Sequence, residues 1–562
     1  MRSLLTILTL SVSLSLAAGP RDVPAVLKDG RLLVDGKPFT LLAGELHNST
    51  TGSVQNMRDV WKRMAGKNLN TVIAAASWEL VEPEEGRFNF QEVDAMIDGA
   101  REAGLRLVIL WFGSWKNGES TYAPAWVKLD QKRFPRALFQ DSQPSLTLSP
   151  LGKESRKADA RAFAALLAHI RDYDRAGTVL MVQVENEIGT VDMMSSFTGT
   201  PNRSMRDYSP AADKAFQEAV PKTLISYLKK HKGTLHPAVE AAWARGAYRT
   251  SGTWEEVFGT GTLSLKEGSW QDTYPYLTEE LFNTWQYATY AEAVASAGKK
   301  EYPLPMYVNA WQKTEGQCVP GNYPSGGPLP HVADIWKAAA PSIDLLAPDI
   351  YATDVYDWIC DGYTQAGYPL FIPETKSSPD GASRAFYTIG KYGAACYAPF
   401  GIDSAKGLSY DITYALLGRY MTEIQGGSTA GLLIDPPAGR VMDQADLGDY
   451  RFILIPDNTD LFTAATGASA EARENTGTPV SGVLILQRSP EEFLVLGGVG
   501  AAKLAVTSNS GKNAGILSVD EIRRDTDGSE YFHRLNGDET SMSITTFAPG
   551  QVKALRVRLY QY

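Results

Sequence analysis

TVLMVQVENEIG, residues 178–189, decides the fold. It runs almost continuously apolar from Thr178 to Val184, as a strand covered on both faces does, and then stops at Glu185, Asn186 and Glu187. Burying an ionised group without a partner is costly, so packing alone does not put a carboxylate, an amide and a second carboxylate at the end of a buried strand. Seven runs of the same kind surround it: FTLLAGEL (39–46), TVIAAAS (71–77), RLVILWF (106–112), LPMYVNA (304–310), IDLLAPDI (343–350), PLFIPE (369–374) and AACYAPFG (394–401). Between them the apolar positions recur at helical spacing, as at Met57, Val60, Trp61 and Met64, at Val93, Met96, Ile97 and Ala100, and at Phe163, Leu166, Leu167 and Ile170. Buried strands alternating with amphipathic helices predict a parallel sheet covered on its outer face, and eight units predict a (β/α)8 barrel. A doubly wound open sheet is the competing arrangement. A barrel places its chemistry at the C-terminal ends of its strands.

Working outward, VLKDGRLLVDGKPF before the first run reads as a hairpin with Asp-Gly turns at 29–30 and 35–36. A long insertion spans about 190–300 within a barrel region of 18–425. From residue 426 to 562, VSGVLILQ, EEFLVLG, GILSVDEI, EYFHRL and VKALRVRLY alternate as short strands, which predicts a separate all-β, sandwich-like domain. GGVGAAK (497–503) within it has no following helix, so it reads as a hairpin turn rather than a dinucleotide loop. The first residues, MRSLLTILTLSVSLSLAAGP, combine Arg2, an apolar stretch and small residues near Ala17. That pattern predicts a signal peptide over 1–17 and an exported protein, periplasmic or secreted. No later run is long and apolar enough to predict a membrane span.

The 562 residues carry a formal net charge of −10, which argues against nucleic acid or an anionic membrane surface as partner and favours a neutral ligand such as a carbohydrate. The 12 Trp and 26 Tyr suit sugar stacking, although most serve a core. With three Cys and six His, none of the His at HExxH spacing, neither a zinc site nor another cofactor is predicted. Cys318 and Cys360, in loops after strands five and six of an exported protein, are expected to form a disulfide, with Cys396 a buried thiol.

Glu187 ends the fourth run and Glu374 the seventh, so the two face one another across a barrel mouth. Glycosidic cleavage needs that pair: a protonated carboxyl at the leaving oxygen, and a carboxylate beneath the ring, about 5–5.5 Å away if configuration is retained. Glu187 is expected to be the acid/base, its pKa raised by the charge of Glu374, the nucleophile. Around them Glu45 and His47, Trp78 and Glu79, Trp115, Lys116 and Asn117, Asn309 and Trp311, and Asp349 and Tyr351 follow other strands. Each has a plain structural alternative. Together they offer the stacking faces and hydrogen-bonding groups a sugar requires. Tyr351 is a candidate donor to Glu374, and Asn186 a candidate partner of the sugar 2-hydroxyl.

NTVIAAASWELVEPEEGRFNF (70–90) resembles the strand-two signature of glycoside hydrolase family 35 β-galactosidases, a clan A family. VENEIG resembles that family's acid/base strand and FIPET its nucleophile strand, and LWFGSWKNGESTYAPAWVK (110–128) resembles a bacterial branch with its own C-terminal β domain. The resemblance implies an exo-acting retaining β-galactosidase that removes terminal galactose from plant-type glycans such as xyloglucan or galactan side chains. This chain departs from animal and fungal members at Ala75 to Glu79 and Gly113 to Asn117, so their galactose-gripping residues do not carry over there. Another clan A retaining glycosidase, such as a β-glucosidase, α-L-arabinopyranosidase or endo-glycanase, and a non-catalytic glycan-binding protein are the alternatives.

Overall fold

A computed structural model describes residues 23–192, 204–406, 409–457, 479–535, 537, 540 and 544–562. The expected signal segment, 1–17, lies outside them. Eight parallel strands close into a barrel: β1 (Leu41–Glu45), β2 (Thr71–Ser77), β3 (Arg106–Lys116), β4 (Val179–Asn186), β5 (Met306–Ala310), β6 (Leu345–Ile350), β7 (Phe371–Thr375) and β8 (Cys396–Pro399). Successive side chains of a strand point to opposite faces, and the core divides accordingly. Leu41, Ala43, Ile73, Val108, Leu110, Tyr307, Leu345 and Phe371 fill the interior, while Leu42, Val72, Ile109, Val182, Val308 and Ile372 pack outward against helices. The interior cluster also contains Ala25, Leu32 and Val34 of the N-terminal hairpin. That hairpin therefore forms the floor of the barrel. Asp29 (φ 50) and Gly30 (φ 71) make its turn in the left-handed region, as a two-residue hairpin loop requires.

The helices that position the site are α1 (Gln91–Glu102), α2 (Lys153–Tyr173), α3 (Leu277–Glu301), α4 (Ala333–Ala339), α5 (Tyr356–Gln365), α6 (Pro379–Tyr392) and α7 (Tyr410–Gly426). The insertion after β4 contributes further helices at Pro210–Phe216, Lys222–Lys230, Pro237–Arg245 and Trp254–Phe258. After α7 the chain enters two antiparallel sheets, one of six strands and one of four. Leu432, Val483, Phe493, Val519 and Leu555 of the first face Phe452, Leu454 and Leu504 of the second across one apolar core, so the C-terminal region is a sandwich.

The sandwich meets the barrel through α6. Gly482 and Gly431 lie so close to this helix that an added Cβ would come 2.1 Å from the Ser383 carbonyl oxygen and 2.3 Å from that of Tyr387. Ser383 Oγ donates to the carbonyls of Val480 and Gly498, and the Arg384 guanidinium pairs with Asp435.

Two expectations need correction. Cys318 and Cys360 are free thiols: Cys360 lies on α5 facing the core, fully buried, while Cys318 donates to the Thr314 carbonyl. Helical placement, invisible in the spacing of the cysteines, buries Cys360 in the core while Cys318 stays in a loop. GGVGAAK is no hairpin either. The strands on either side, Glu492–Val499 and Ala502–Ser508, belong to different sheets, and the segment carries the chain across the sandwich.

Candidate active site

The end of β4 is backbone-strained. Glu185 (φ 61) and Glu187 (φ 46) both occupy the left-handed region on either side of Asn186, a conformation that costs a non-glycine residue about 1–3 kcal/mol. The reversal sends the two glutamates to different environments. Glu185 turns outward, where it accepts from the Trp115 N–H at 2.8 Å and is held beside Asp159 of α2. Burial, and then the charge of Asp159, push Glu185 well above the usual carboxylate range, so it is the neutral acid of that pair. Glu187 turns into the mouth, its own N–H donating to Asn309 Oδ1 at 2.9 Å.

Opposite, β6 and β7 run in register with Asp349 beside Glu374. Glu187, Asp349 and Glu374 are buried, and each offers an oxygen within 4.8 Å of the others. Glu374 Oε1 accepts a short hydrogen bond from the Tyr351 hydroxyl, and Asp349 Oδ2 accepts from Asn309 Nδ2 at 2.8 Å. Tyr351 is 43% exposed as a residue, but its hydroxyl end is sunk against Glu374; burial and that charge hold the phenol protonated far above its ordinary range. Glu45, from β1, completes the carboxylate cluster.

Lys116 is the counter-charge. Its Nζ stands 4.0 Å from Glu187 Oε2 and 5.3 Å from the Phe112 ring centroid, and although burial disfavours the ammonium, Glu187, Glu374, Glu45 and Asp349 raise its pKa on balance. Three carboxylates at this spacing could also hold a cation, and the lysine ammonium supplies positive charge there itself. A bulge in β3 delivers it. The pairing with β4 slips between Trp111 and Lys116, and Asp159 pins the slip by accepting from Trp111 Nε1 (2.8 Å), Ser114 N (3.1 Å) and Ser114 Oγ (2.6 Å). Gly113 fits there because a Cβ would lie 2.3 Å from Trp111 Nε1.

Electrostatics separate the two facing glutamates. Burial, followed by the charge of Glu374, pushes Glu187 up to about 7, with Lys116 and Asp349 pulling the other way. Burial likewise raises Asp349 and Glu45 well above the usual range, with Glu374 the next cause for each. At neutral pH the cluster therefore carries protons, held by groups a few ångströms from Glu374.

The other sequence-selected residues divide. Asn186 is fully buried with neither side-chain atom hydrogen-bonded, and Trp311 Nε1, Asn117 Oδ1, Glu45 Oε1 and Glu374 Oε2 are buried and unpartnered too, the pattern of groups prepared for a ligand. His47 sits on the rim, Nδ1 2.8 Å from Asp403. Glu79 lies further out, 3.4 Å from Lys128. Trp78 and Trp115 are not brought to the site: both are fully buried behind the strands, Trp78 donating to Glu82 at 2.9 Å and Trp115 packing edge-on against Tyr287 and Tyr290. Asp349, marked in the sequence as a carboxylate closing the sixth apolar run, is brought to the pair as its third carboxylate. Asp159, mid-helix, gives no signal in the sequence.

A closed parallel barrel with paired carboxylates across its C-terminal mouth is the arrangement on which barrel glycoside hydrolases work. Residues 31–302 match the model of glycosyl hydrolases family 35, and residues 412–545 match a domain of unknown function, DUF5597. Residues 31–302 of the chain are thus similar to glycosyl hydrolases family 35. Similar curated proteins include a beta-galactosidase of Xanthomonas manihotis (28% identical over 201 residues, 34% of this chain and 31% of that protein) and beta-galactosidase-1-like protein 3 of Homo sapiens (31% over 162 residues, 28% and 23%). The beta-galactosidase of Canis lupus familiaris is 30% identical over 173 residues, 28% of this chain and 23% of that protein. The chain thus matches less than a third of the length of these relatives. Among solved structures, a beta-galactosidase from Rahnella sp. R3 aligns with a TM-score of 0.43 at 16% identity, covering 69% of this chain and 57% of that one.

Proposed function

We propose that the chain is an exo-acting retaining β-galactosidase, with Glu187 as acid/base and Glu374 as nucleophile, acting on terminal β-galactose of plant-type oligo- or polysaccharides. The observation that carries this reading is the pairing itself: two buried carboxylates with oxygens within 4.8 Å, one pushed up to about 7 and the other fixed by a phenol. Glu187, protonated near neutrality, donates to the glycosidic oxygen while Glu374 forms the bond to the anomeric carbon. Once that bond exists the charge on Glu374 is gone, the pKa of Glu187 falls, and it can take a proton from the incoming water. Asn186, adjacent to Glu187 in the chain and buried without a hydrogen-bond partner, is the candidate to meet the 2-hydroxyl. The beta-galactosidases among its relatives support galactose as the sugar.

Azide distinguishes the roles. With Glu187→Ala, azide should attack the glycosyl-enzyme and give the β-galactosyl azide; with Glu374→Ala it should enter directly and give the α anomer. The reverse pairing of anomers, or α-galactose as the first product of the wild type, would refute the assignment. Lys116, buried where the resemblance to animal and fungal members breaks, favours one second reading, a clan A glycosidase for a related sugar such as α-L-arabinopyranose. A panel of nitrophenyl glycosides decides it by kcat/KM. Export is part of the proposal too: protein recovered from its host should begin near residue 18, and an intact Met1 would count against it.

A further inference from the structure

A cavity of about 390 Å³ lies outside the carboxylate cluster, between α4 and α5, roofed by the insertion. That volume is within the range of small-ligand sites. Gln312, two residues beyond β5, and Trp358, at the start of α5, line it, so it begins at the end of the barrel where Glu187 and Glu374 stand. Trp358 is 37% exposed and meets Trp270 of the insertion edge-on at 5.3 Å, forming an aromatic lip with Leu265.

The polar wall is donor-rich yet balanced in charge. Lys313 Nζ donates to the carbonyls of Thr273 (2.7 Å) and Gln271 (3.3 Å) and lies 4.2 Å over the Tyr274 ring, which leaves one of its three N–H groups for the cavity. His236 Nδ1 accepts from the Ala238 N–H at 3.2 Å, which fixes its proton on Nε2. Burial, then His331 and Lys313, push His236 down to about 3, so it stays a neutral donor. Lys313 and Lys337 are offset by Asp272, Asp334 and Asp361, a wall that favours a neutral, hydroxyl-rich ligand over a strongly charged one.

We infer that this cavity is a second carbohydrate site, which holds a neutral oligosaccharide segment with Trp358 stacked on a sugar face and His236 and Lys313 donating to hydroxyls. The choice of ligand class rests on the glycosidase reading of the barrel; the cavity does not. A site on the same end of the barrel as the carboxylates would anchor a branched chain while its terminal sugar is removed, adding to affinity for the polymer and nothing to that for a small aryl glycoside.

The test is calorimetry with a galactosylated xyloglucan oligosaccharide on Glu374→Ala, which cannot consume it, and on the same variant carrying Trp358→Ala or Leu265→Trp. One lip change empties the mouth and the other fills it, so both failing to fold in the same way is not a confounder. Two binding events are expected with Glu374→Ala, one of them at least tenfold weaker with either lip change. In the otherwise wild-type enzyme, Trp358→Ala should raise KM for galactosylated xyloglucan at least fivefold while leaving kcat/KM for nitrophenyl galactoside within twofold. Identical isotherms in all three proteins, a single event competed by galactose, or no heat at all would overturn the proposal. If the barrel proves to cleave no galactoside, the isotherms still read the cavity, so the two failures are distinguishable.

Discussion

Replacing Glu374 with Gln should lower the pKa of Glu187, and the structure sets the scale. Their nearest oxygens are within 4.8 Å, and at that distance with an effective dielectric of about 20 the repulsion is roughly 3.5 kcal/mol, equivalent to about 2.5 pH units. Burial is the larger cause of the upward shift, and Lys116 and Asp349 already oppose it. A fall of about 1–2 units from about 7 is therefore expected, leaving Glu187 still above an ordinary glutamate. Carbon-13 labelled glutamate, with the Glu187 resonance assigned by its absence in Glu187→Gln, gives the titration directly. The same fall should occur in wild-type enzyme whose nucleophile has been esterified by a 2-fluoro galactoside, since that also removes the charge. A titration unmoved in both would mean that burial alone holds the proton, and the exchange of acid and base roles would lose its physical basis.

Other outcomes follow from the same geometry. A carboxyl whose native pKa lies above its unfolded value binds more protons in the native state, so the stability it lends is lost as pH rises from 4.5 through about 7. Glu187→Gln should match wild type near pH 4.5 and exceed it by up to about 3 kcal/mol at pH 8 in urea unfolding; equal curves at both values would contradict this. Tyr351→Phe removes a hydrogen bond to a charged carboxylate, worth about 1.5–3 kcal/mol, so kcat/KM should fall roughly 10- to 100-fold, and a loss under threefold would show that the phenol does not matter. Gly482→Ala drives a methyl to 2.1 Å from the Ser383 carbonyl and should cost about 1–3 kcal/mol or more, a prediction that fails if urea midpoints coincide.

The barrel was legible because each strand is buried on both faces and each helix on one, which makes eight apolar runs stand out from helical spacing. Glu187, Glu374 and Asp349 were legible for the opposite reason, as charges where apolar runs end. Side-chain direction was not. Trp78 and Trp115 adjoin strand ends as Lys116 does, but the Gly113 bulge and the short helix Trp78–Val81 turn them away from the mouth, and both depend on contacts with distant residues such as Asp159 and Glu82. The unpaired cysteines and the sheet crossing at GGVGAAK escaped for the same reason: sequence spacing records neither which way a helix faces nor which sheet a strand joins.

The glycine contacts between α6 and the sandwich set the order in which this chain can mature. Residues 481–499 leave the ribosome long after Tyr392, so the backbone of α6 at Ser383 and Tyr387 lacks its sandwich contacts while the barrel is already assembling. The seventh unit, which begins with the strand carrying Glu374, stays unfinished until the last domain arrives. A chain halted at residue 426 is thus a nascent intermediate with an uncovered flank, a substrate for chaperones and proteases rather than a smaller enzyme.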